Sequence, residues 1–382
     1  MSDVHGFVDP RFEGVRAAFA AAFARGDDLG ASFAATLDGE PVIDLWGGWA
    51  DAEQTRPWEQ DTIVNVYSTT KTMTALTALW LADQGGLKFE EKVAHYWPEF
   101  AAAGKQDVTV AQLMSHAAGL SGFHEPMQPD DLYDWDLVTS RLAAQTPFWE
   151  PGTAPGYHAV TQGYLVGEVV RRITGKSLGT VFAENIAGPL GADFHIGLDA
   201  AHDHRVADLV PPPQGASISD GPQSALAKNM ATNPPINPLE TRTRAWRAAE
   251  IPAAGGHGNA RSVAAVQTLM ANGGVALSKH GGGKRLLSEA GVRKALELQI
   301  EGHDQVLNMP VRYGMGYGLA GPTRPMPNPN TVFWGGYGGS LVVCDMDARL
   351  CMSYVMNKMA GTTVGDMRAG MLMAGVWGAL MA

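Results

Sequence analysis

TIVNVYSTTKTMTALTALWLA, residues 62–82, contains one charged side chain, Lys71, between Asp61 and Asp83. From about Ser68 onward the pattern predicts a helix that is apolar or small on nearly every face, which is typical of a buried helix. A lysine buried in such a helix is costly unless it is paired or has lost its proton. Because residues i and i+3 share a helix face, the Ser68 hydroxyl can contact the Lys71 amine.

A serine beside a buried lysine is a candidate nucleophile together with its base. A hydroxyl attacks poorly until a base accepts its proton, and a lysine is a base only when it is neutral. The ordinary pKa of lysine is ~10.4, so a value near 7 requires roughly 4–5 kcal/mol, and burial acts in that direction. Free N–H groups at the helix N-terminus would favour an oxyanion near Ser68. The spacing alone leaves a second interpretation open, a capping serine and a lysine that reaches solvent.

Three further segments follow the S-x-x-K pattern of Ser68-Thr69-Thr70-Lys71 along the chain. Together the four segments resemble the serine β-lactamase and DD-peptidase superfamily, in which S-x-x-K carries the nucleophile. The family VIII carboxylesterases, which look like class C β-lactamases that became esterases, are the nearest branch. The three further segments are Leu113-Met114-Ser115-His116-Ala117-Ala118-Gly119-Leu120, Gly156-Tyr157-His158-Ala159 and Trp334-Gly335-Gly336.

The resemblance implies a role for each of four residues. Ser68 would be the nucleophile, Lys71 its base, and Tyr157 a second proton relay that helps protonate the leaving alcohol and activate the deacylating water. The backbone N–H groups of Ser68 and Tyr337 would form the oxyanion hole. A tyrosine gives up its proton easily only near a cation, and Lys71 could be that cation, in which case the two groups would titrate as a coupled unit.

Two positions depart from the β-lactamase pattern and bear on the substrate. Ala159 stands where that pattern has asparagine, and Trp334 where it has lysine. Both changes favour neutral carboxylic esters with short-chain or aromatic acyl groups over β-lactams. An acyltransferase on the same machinery, a β-lactamase or peptidase with weak β-lactam activity, and a non-catalytic penicillin-binding-like module remain the alternatives.

Eight residues are expected to bind the substrate. The Trp-Gly-Gly motif comes from the resemblance, and Trp334 would offer an apolar wall. The others lie in or beside loops near the motifs, where the aromatic rings could equally belong to the core. The eight residues are Trp334, Gly335, Gly336, Tyr133, Trp135, Phe148, Trp149 and His158.

Strand patterns lie at both ends of the chain and helical patterns fill the middle. Ala31–Leu37 and Pro41–Trp46 flank Asp38-Gly39-Glu40, a hairpin signal. The C-terminal part predicts strands at 313–319, 331–334, 340–345 and 350–356. This order favours the α+β class, a mixed α/β architecture with one antiparallel sheet built from both termini and flanked by helices. The resemblance implies a β-lactamase/transpeptidase-like fold.

The same order predicts two subdomains. Residues 1–60 and 250–382 would form the subdomain with the sheet, and residues 61–249 a mainly helical one, with the active site at their interface. Within the helical part, the prolines of residues 203–240 predict an extended loop region.

Composition limits the possible partners. The chain has 382 residues, 45% of them hydrophobic and 18% charged, with a net charge of −11 and a pI near 5.4. This acidic balance argues against nucleic acid and anionic membrane surfaces, so the expected partner is a small-molecule ester, with oligomers possible. The N-terminus has neither a basic start nor an apolar run, so no signal peptide and a cytoplasmic location are expected. No cofactor, metal or membrane insertion is expected.

Several other patterns compete for chemical roles. Gly175-Lys176-Ser177-Leu178-Gly179 matches the nucleophile elbow G-x-S-x-G, but it lies between two predicted helices, where a turn is favoured. His257 lies in a glycine-rich turn, which favours a backbone role. Cys344 and Cys351 flank a predicted hairpin turn and are expected as reduced, buried thiols on paired strands.

Overall fold

A single nine-stranded antiparallel sheet forms the centre of the fold in the computed structural model, which describes residues 3–212, 224–279 and 281–382. Its strand order is β1-β3-β2-β11-β10-β9-β8-β7-β6, and β4 pairs with β5 in a separate ribbon. The strands are β1 (Val4–Val8), β2 (Gly30–Leu37), β3 (Glu40–Gly48), β4 (Val64–Asn65), β5 (His257–Gly258), β6 (Ile300–His303), β7 (Pro310–Tyr313), β8 (Gly318–Leu319), β9 (Thr331–Gly335), β10 (Leu341–Asp345) and β11 (Leu350–Met356).

The helices occupy the middle of the chain and its two ends. They are α1 (Glu13–Ala24), α2 (Thr70–Asp83), α3 (Val93–Tyr96), α4 (Val110–Met114), α5 (Trp135–Ala144), α6 (Thr161–Thr174), α7 (Leu178–Phe182), α8 (Gly188–Leu190), α9 (Ala225–Thr232), α10 (Arg244–Ala248), α11 (Ala260–Ala271), α12 (Glu289–Arg293) and α13 (Met367–Met381). Short 3-10 turns include Tyr67–Thr69, Pro129–Tyr133, Ala200–Arg205 and Pro238–Arg242.

The two ends of the chain meet in the middle of the sheet. Asp38 and Gly39 both have positive φ, at 51° and 77°, so the two-residue turn joins β2 to β3 as the sequence predicts. β2 then pairs along its length with β11, from Leu37 opposite Leu350 to Ala31 opposite Met356. The predicted α+β class and the antiparallel sheet from both termini are confirmed.

Helices cover both faces of this sheet. Successive strand residues point to opposite faces. The Cys344 Sγ lies 3.5 Å from the Gln267 carbonyl oxygen in α11, whereas Asp345 accepts a hydrogen bond of 3.1 Å from Trp377 in α13. α11 and α13 therefore lie on opposite sides, and α2 packs behind α11 against α6, α7 and α12.

Two local predictions were wrong. The strand expected over 313–319 is two short strands, β7 and β8, because Gly316 turns the backbone at φ +84°. The loop region expected over 203–240 contains helix α9, whose first turn is capped where Ser224 accepts a hydrogen bond from the Ala227 amide at 3.0 Å. Residues 213–223 of that region lie outside the described residues.

No helix within the described ranges is both long and apolar enough to cross a membrane. The same part of the chain contains no group of three or more His, Cys, Asp or Glu side chains that could hold a metal ion. Asp203, in the His202-Asp203-His204 segment, forms ion pairs with Arg244 and Arg247.

The two cysteines lie directly opposite each other on β10 and β11. Their sulfur atoms are 3.9 Å apart, both side chains are buried, and no disulfide joins them. Burial raises the pKa of Cys344 well above its ordinary value. Both predictions, the paired strands and the reduced thiols, are confirmed.

We expect both thiols to be unreactive until the sheet opens, because the attacking species is the exposed thiolate. Ellman's reagent at neutral pH should detect almost no thiol in the native protein and two thiols per chain in 6 M guanidinium chloride. A rapid reaction of the native protein would contradict the buried placement.

Candidate active site

Ser68 lies at the junction between strand β4 and helix α2. It is the middle residue of the 3-10 turn Tyr67–Thr69, so α2 begins two residues later than the predicted helix start. Tyr67 adopts a positive φ of 44°, which is strained for a bulky residue, and its amide donates to the Asn65 side chain at 3.2 Å. This turn presents the Ser68 hydroxyl, with 7% of the residue exposed, at the floor of a cavity.

The Lys71 amine lies one turn along the same element and is fully buried. Its Nζ is 3.0 Å from the Ser68 Oγ, 2.6 Å from the Ala159 carbonyl oxygen and 3.0 Å from the Ala253 carbonyl oxygen. No carboxylate of the described residues forms an ion pair with it. Burial lowers the pKa of Lys71 well below its ordinary value. The structure therefore favours a neutral amine in contact with the serine hydroxyl.

Tyr157 also contacts Ser68. Its hydroxyl lies 2.5 Å from the Ser68 Oγ, and the Lys71 Nζ lies 4.9 Å from the centre of its ring. Burial raises the pKa of Tyr157 above its ordinary value. A charged lysine that helps the tyrosine to ionise, which the sequence left open, is not favoured, because burial penalises both charges. The neutral amine that the sequence predicts lies beside a neutral phenol.

Asp304 holds Tyr157 in place, and sequence reasoning missed it. Its buried carboxylate accepts hydrogen bonds from the Tyr157 amide at 3.1 Å and the Tyr313 hydroxyl at 3.0 Å. The amides of Val306 and Leu307 also donate to it, at 2.9 and 2.8 Å. Asp304 is 147 residues from Tyr157, so no local spacing could have revealed the contact.

A second set of contacts joins the 3-10 turn around Ser68 to the turn between β9 and β10. The Ser340 hydroxyl donates to the Val66 carbonyl oxygen at 2.9 Å and lies 3.0 Å from the Thr69 Oγ1. The segment before α11 fixes the other side, since the Gly256 amide donates to the Thr70 Oγ1 at 2.9 Å. The neighbouring His257 pairs through its backbone with Asn65, in the backbone role that its glycine-rich turn favours.

Two backbone amides beside the hydroxyl are available for an anion. No described residue accepts a hydrogen bond from the Ser68 or the Tyr337 N–H. The intervening Gly336 packs so closely that an added Cβ would lie 2.2 Å from the Val66 carbonyl oxygen and 3.3 Å from the Ser68 nitrogen. Only a glycine brings the chain of residue 337 this close to the serine.

The cavity above Ser68 has a volume of about 140 Å³ and is mainly apolar. Helix α9 contributes one wall, although its segment was expected to be a loop. The described residues that line it carry no charged side chain. They are Tyr67, Ser68, Tyr157, Ala159, Val160, Met230, Ala231, Ile236, Ala254, Tyr337 and Thr363.

The predicted substrate-binding residues are not among those that line this cavity. Trp334 is buried beside it, with its ring centre 5.9 Å from that of Tyr157. Gly335 packs against the backbone of Gly365, and Gly336 packs against the 3-10 turn around Ser68.

The remaining aromatic predictions lie in the surrounding core and loops. The Trp135 indole donates to the buried Glu168 carboxylate at 2.7 Å, and Tyr133 ends a 3-10 turn and packs against the main core. Phe148 lies against His124, with ring centres 4.1 Å apart.

Trp149 and His158 support the loop that carries Tyr157. Trp149 donates to the Ala154 carbonyl oxygen at 2.9 Å, and its ring packs edge-on against His158. The His158 Nε2 accepts from the Leu120 amide at 2.9 Å. Amphipathic aromatic rings satisfy core and pocket alike, so their sequence could not separate the two.

The G-x-S-x-G segment is a helix-to-helix turn. Ser177 caps α7, accepting from the Thr180 amide at 3.2 Å, and its hydroxyl donates to the half-buried Glu250 carboxylate at 2.6 Å. With no strand before it, the turn lacks the geometry of a nucleophile elbow.

Comparison with known proteins agrees with this geometry. A family model described as β-lactamase matches residues 15–372. The chain belongs to the β-lactamase family. The esterase/β-lactamase LipL of Mycobacterium tuberculosis is 34% identical over 391 residues, which cover 96% of this chain and 86% of that protein.

Solved structures indicate which branch of the β-lactamase family this chain resembles. The crystal structure of a family VIII carboxylesterase is 45% identical, covers 99% of this chain and all of that one, and superposes with a TM-score of 0.92. A penicillin-binding protein homologue from Caulobacter crescentus is 37% identical with the same coverage and a TM-score of 0.91. The predicted family, its fold and the predicted class of enzyme, a carboxylesterase-type hydrolase, are confirmed.

Gly336→Ala should disable this site while leaving the fold in place. The added methyl would collide with the Val66 carbonyl oxygen and displace either Ser68 or residue 337. A displacement of about 1 Å at a reacting centre costs on the order of 100-fold in rate, so we expect at least that loss in the hydrolysis of p-nitrophenyl butyrate.

Gly378→Ala is the matched control, because a Cβ at this position in α13 meets no other atom within 4 Å. It should leave kcat/KM unchanged and raise helix stability by up to about 1 kcal/mol. Full activity of Gly336→Ala would show that the site does not depend on the close packing of residue 336 against Val66 and Ser68.

Proposed function

We propose that this protein is a serine carboxylesterase that cleaves its substrate through an acyl-enzyme on Ser68. One observation carries the proposal: the Lys71 amine and the Tyr157 hydroxyl converge on the Ser68 Oγ, at 3.0 and 2.5 Å. A nucleophile within hydrogen-bond distance of a base and a second proton carrier is the arrangement that acyl transfer needs.

Lys71 would act as the base in the first step. A neutral amine has two N–H bonds and one lone pair, and the carbonyl groups of Ala159 and Ala253 can accept the two N–H bonds. The lone pair is then left for the Ser68 proton. As that proton moves to Lys71, the Oγ bonds to the ester carbonyl carbon, and the N–H groups of Ser68 and Tyr337 would bind the oxyanion.

Tyr157 would complete the proton path. When the tetrahedral intermediate collapses, the alkoxide leaves and takes the Tyr157 hydroxyl proton, and the Lys71 ammonium returns its proton to the phenolate. Water then attacks the acyl-enzyme, the same proton transfers run in the reverse direction, and the carboxylic acid is released. Each group ends in its starting protonation state, as turnover requires.

The cavity favours a small, neutral ester as the substrate. Its mainly apolar lining and its volume of about 140 Å³ suit a short-chain or aromatic acyl group. Trp334 and Ala159 replace the polar residues of the β-lactamase pattern, which makes β-lactams the poorer substrates. We also propose that the site lies between the predicted subdomains, since Ser68 and Tyr157 come from residues 61–249 and Tyr337 from the C-terminal part.

Ser68→Ala should abolish hydrolysis of p-nitrophenyl butyrate, by at least about 1,000-fold in kcat, because removing the nucleophile of such a unit removes the whole pathway. Circular dichroism should show an unchanged fold. Ser177→Ala is the control, since it removes the other motif serine and leaves the Ser68 site untouched. Retained turnover in Ser68→Ala, or an equal loss in Ser177→Ala, would refute the assignment.

The pH dependence of stability should report the state of Lys71. If its pKa in the folded protein is well below its ordinary value, the unfolded chain binds one more proton between the two pKa values. Stability then rises with pH in that window, by up to about 1.4 kcal/mol per pH unit, and the rise ends near the unfolded pKa.

Lys71→Met isolates this effect, because it fills the same buried space without a titrating group. The free energy of unfolding, measured in urea from pH 7 to 10, should increase in the wild type relative to Lys71→Met. A constant difference between the two proteins would mean that Lys71 stays charged in the fold and is not the base.

A further inference from the structure

The indole N–H of Trp334 is fully buried and has no hydrogen-bond partner with good geometry among the described residues. Buried donors of this kind are rare in folded proteins and call for an explanation. An apolar side chain would fill the same space without leaving a polar group unsatisfied. A role as an apolar wall, which the sequence predicts for Trp334, therefore does not explain why this buried side chain carries an N–H group.

Trp334 lies among three aromatic rings, one of which is that of Tyr157. The indole stacks on His116, with ring centres 5.2 Å apart and planes 24° from parallel, and Tyr157 and Tyr313 flank it at 5.9 and 5.5 Å. Burial raises the pKa of Tyr157, whereas hydrogen bonding by the Ser68 and Trp334 side chains lowers it. The Trp334 donor thus lies near the phenol oxygen in a long or poorly aligned contact.

His116 packs against the Trp334 indole and carries no charge that could itself stabilise an anion. Its Nδ1 accepts a hydrogen bond from the His158 amide at 3.1 Å, so the remaining proton is on Nε2. Burial lowers the pKa of His116 well below its ordinary value, which keeps the ring neutral. A neutral ring stacked on the indole restricts rotation of Trp334.

We propose that Trp334 is a catalytic hydrogen-bond donor, whose indole N–H binds the Tyr157 oxygen while that oxygen carries the negative charge. This inference rests on the proposed acyl-enzyme function. The charge exists between two proton transfers: Tyr157 gives its proton to the departing alkoxide, and the Lys71 ammonium later returns one. Trp334 exchanges no proton, so the balance of the reaction is unchanged.

The charges around Tyr157 explain why a donor is needed. The buried Asp304 lies beside it and disfavours a phenolate, and the neighbouring Tyr313 hydroxyl is already engaged with Asp304. His116 is neutral. Two of the three N–H bonds of the Lys71 ammonium are directed at the Ala159 and Ala253 carbonyl oxygens, which leaves one for the phenolate. A hydrogen bond to a charged oxygen is shorter and stronger than one to a neutral phenol, so the contact tightens when the charge appears.

The leaving group provides the decisive readout. p-Nitrophenolate departs without a proton, whereas ethoxide needs one from Tyr157 as it leaves. In Trp334→Phe the ratio of kcat/KM for ethyl butyrate to that for p-nitrophenyl butyrate should fall by at least about tenfold, since general acid catalysis is worth more than that. Both constants report acylation of the same serine by the same acyl group, so a wall that only binds the acyl group would change them equally.

Trp246→Phe is the matched control. The Trp246 indole N–H is also buried and finds no partner in the part of the chain that the structure describes, but its ring packs against Tyr67 and not against Tyr157. This variant loses the same volume and the same kind of donor, and its ratio should stay within about twofold of the wild type. Replacing the Trp334 indole by the benzothiophene of benzothienylalanine removes the N–H at constant shape and covers the case in which Trp334→Phe fails to fold.

An unchanged ratio of kcat/KM for the ethyl and p-nitrophenyl esters in the folded Trp334→Phe or benzothienylalanine protein would overturn the inference. Trp334 would then serve only as an apolar side chain beside the cavity. That result is distinct from failure of the proposed function, which would appear as retained turnover in Ser68→Ala. A ratio that falls in Trp334→Phe but not in Trp246→Phe supports the donor role.

Discussion

The burial of the Lys71 amine is the constraint on which the site depends. A charged ammonium in this dry position would lack a compensating carboxylate among the described residues, so the fold favours the neutral form that the proposed base requires. The amine is held by the carbonyl groups of Ala159 and Ala253, which belong to two separate loops. Lys71 therefore reaches this position only when α2 and both loops have assembled.

The sheet gives this assembly its rigidity. Ser340 and Gly336, both in the turn after β9, contact the backbone around Ser68, and Asp304 fixes the segment that carries Tyr157. Each of these contacts joins parts of the chain that are far apart in sequence. Ser68 and Lys71 thus lie on a tight turn and a helix, Tyr157 lies in a braced loop, and buried hydrogen bonds that would be lost if the geometry relaxed hold all three.

Burial shifts the pKa values of Lys71 and Tyr157 in opposite directions. It lowers that of Lys71 and raises that of Tyr157, so both groups rest in neutral forms, which in the proposed mechanism exchange protons in a fixed order. A charged lysine beside an ionised tyrosine, which the sequence left open, would bury two charges. The Trp334 N–H has no hydrogen-bond partner among the described residues, which fits the proposal that the Tyr157 oxygen is a strong acceptor only during turnover.

The sequence by itself determined what short-range spacing and periodicity can encode: the Ser68–Lys71 pair on one buried element, the hairpin at Asp38, and the strands at both ends that imply an antiparallel sheet. Tertiary structure alone decided which distant groups meet there. Asp304, Ser340 and the wall that α9 contributes to the cavity could not be read from the chain, and the predicted aromatic side chains lie outside the residues that line this cavity. The physical reason is that a helix turn fixes neighbours at i+3, whereas contacts across a hundred residues depend on how every intervening element packs.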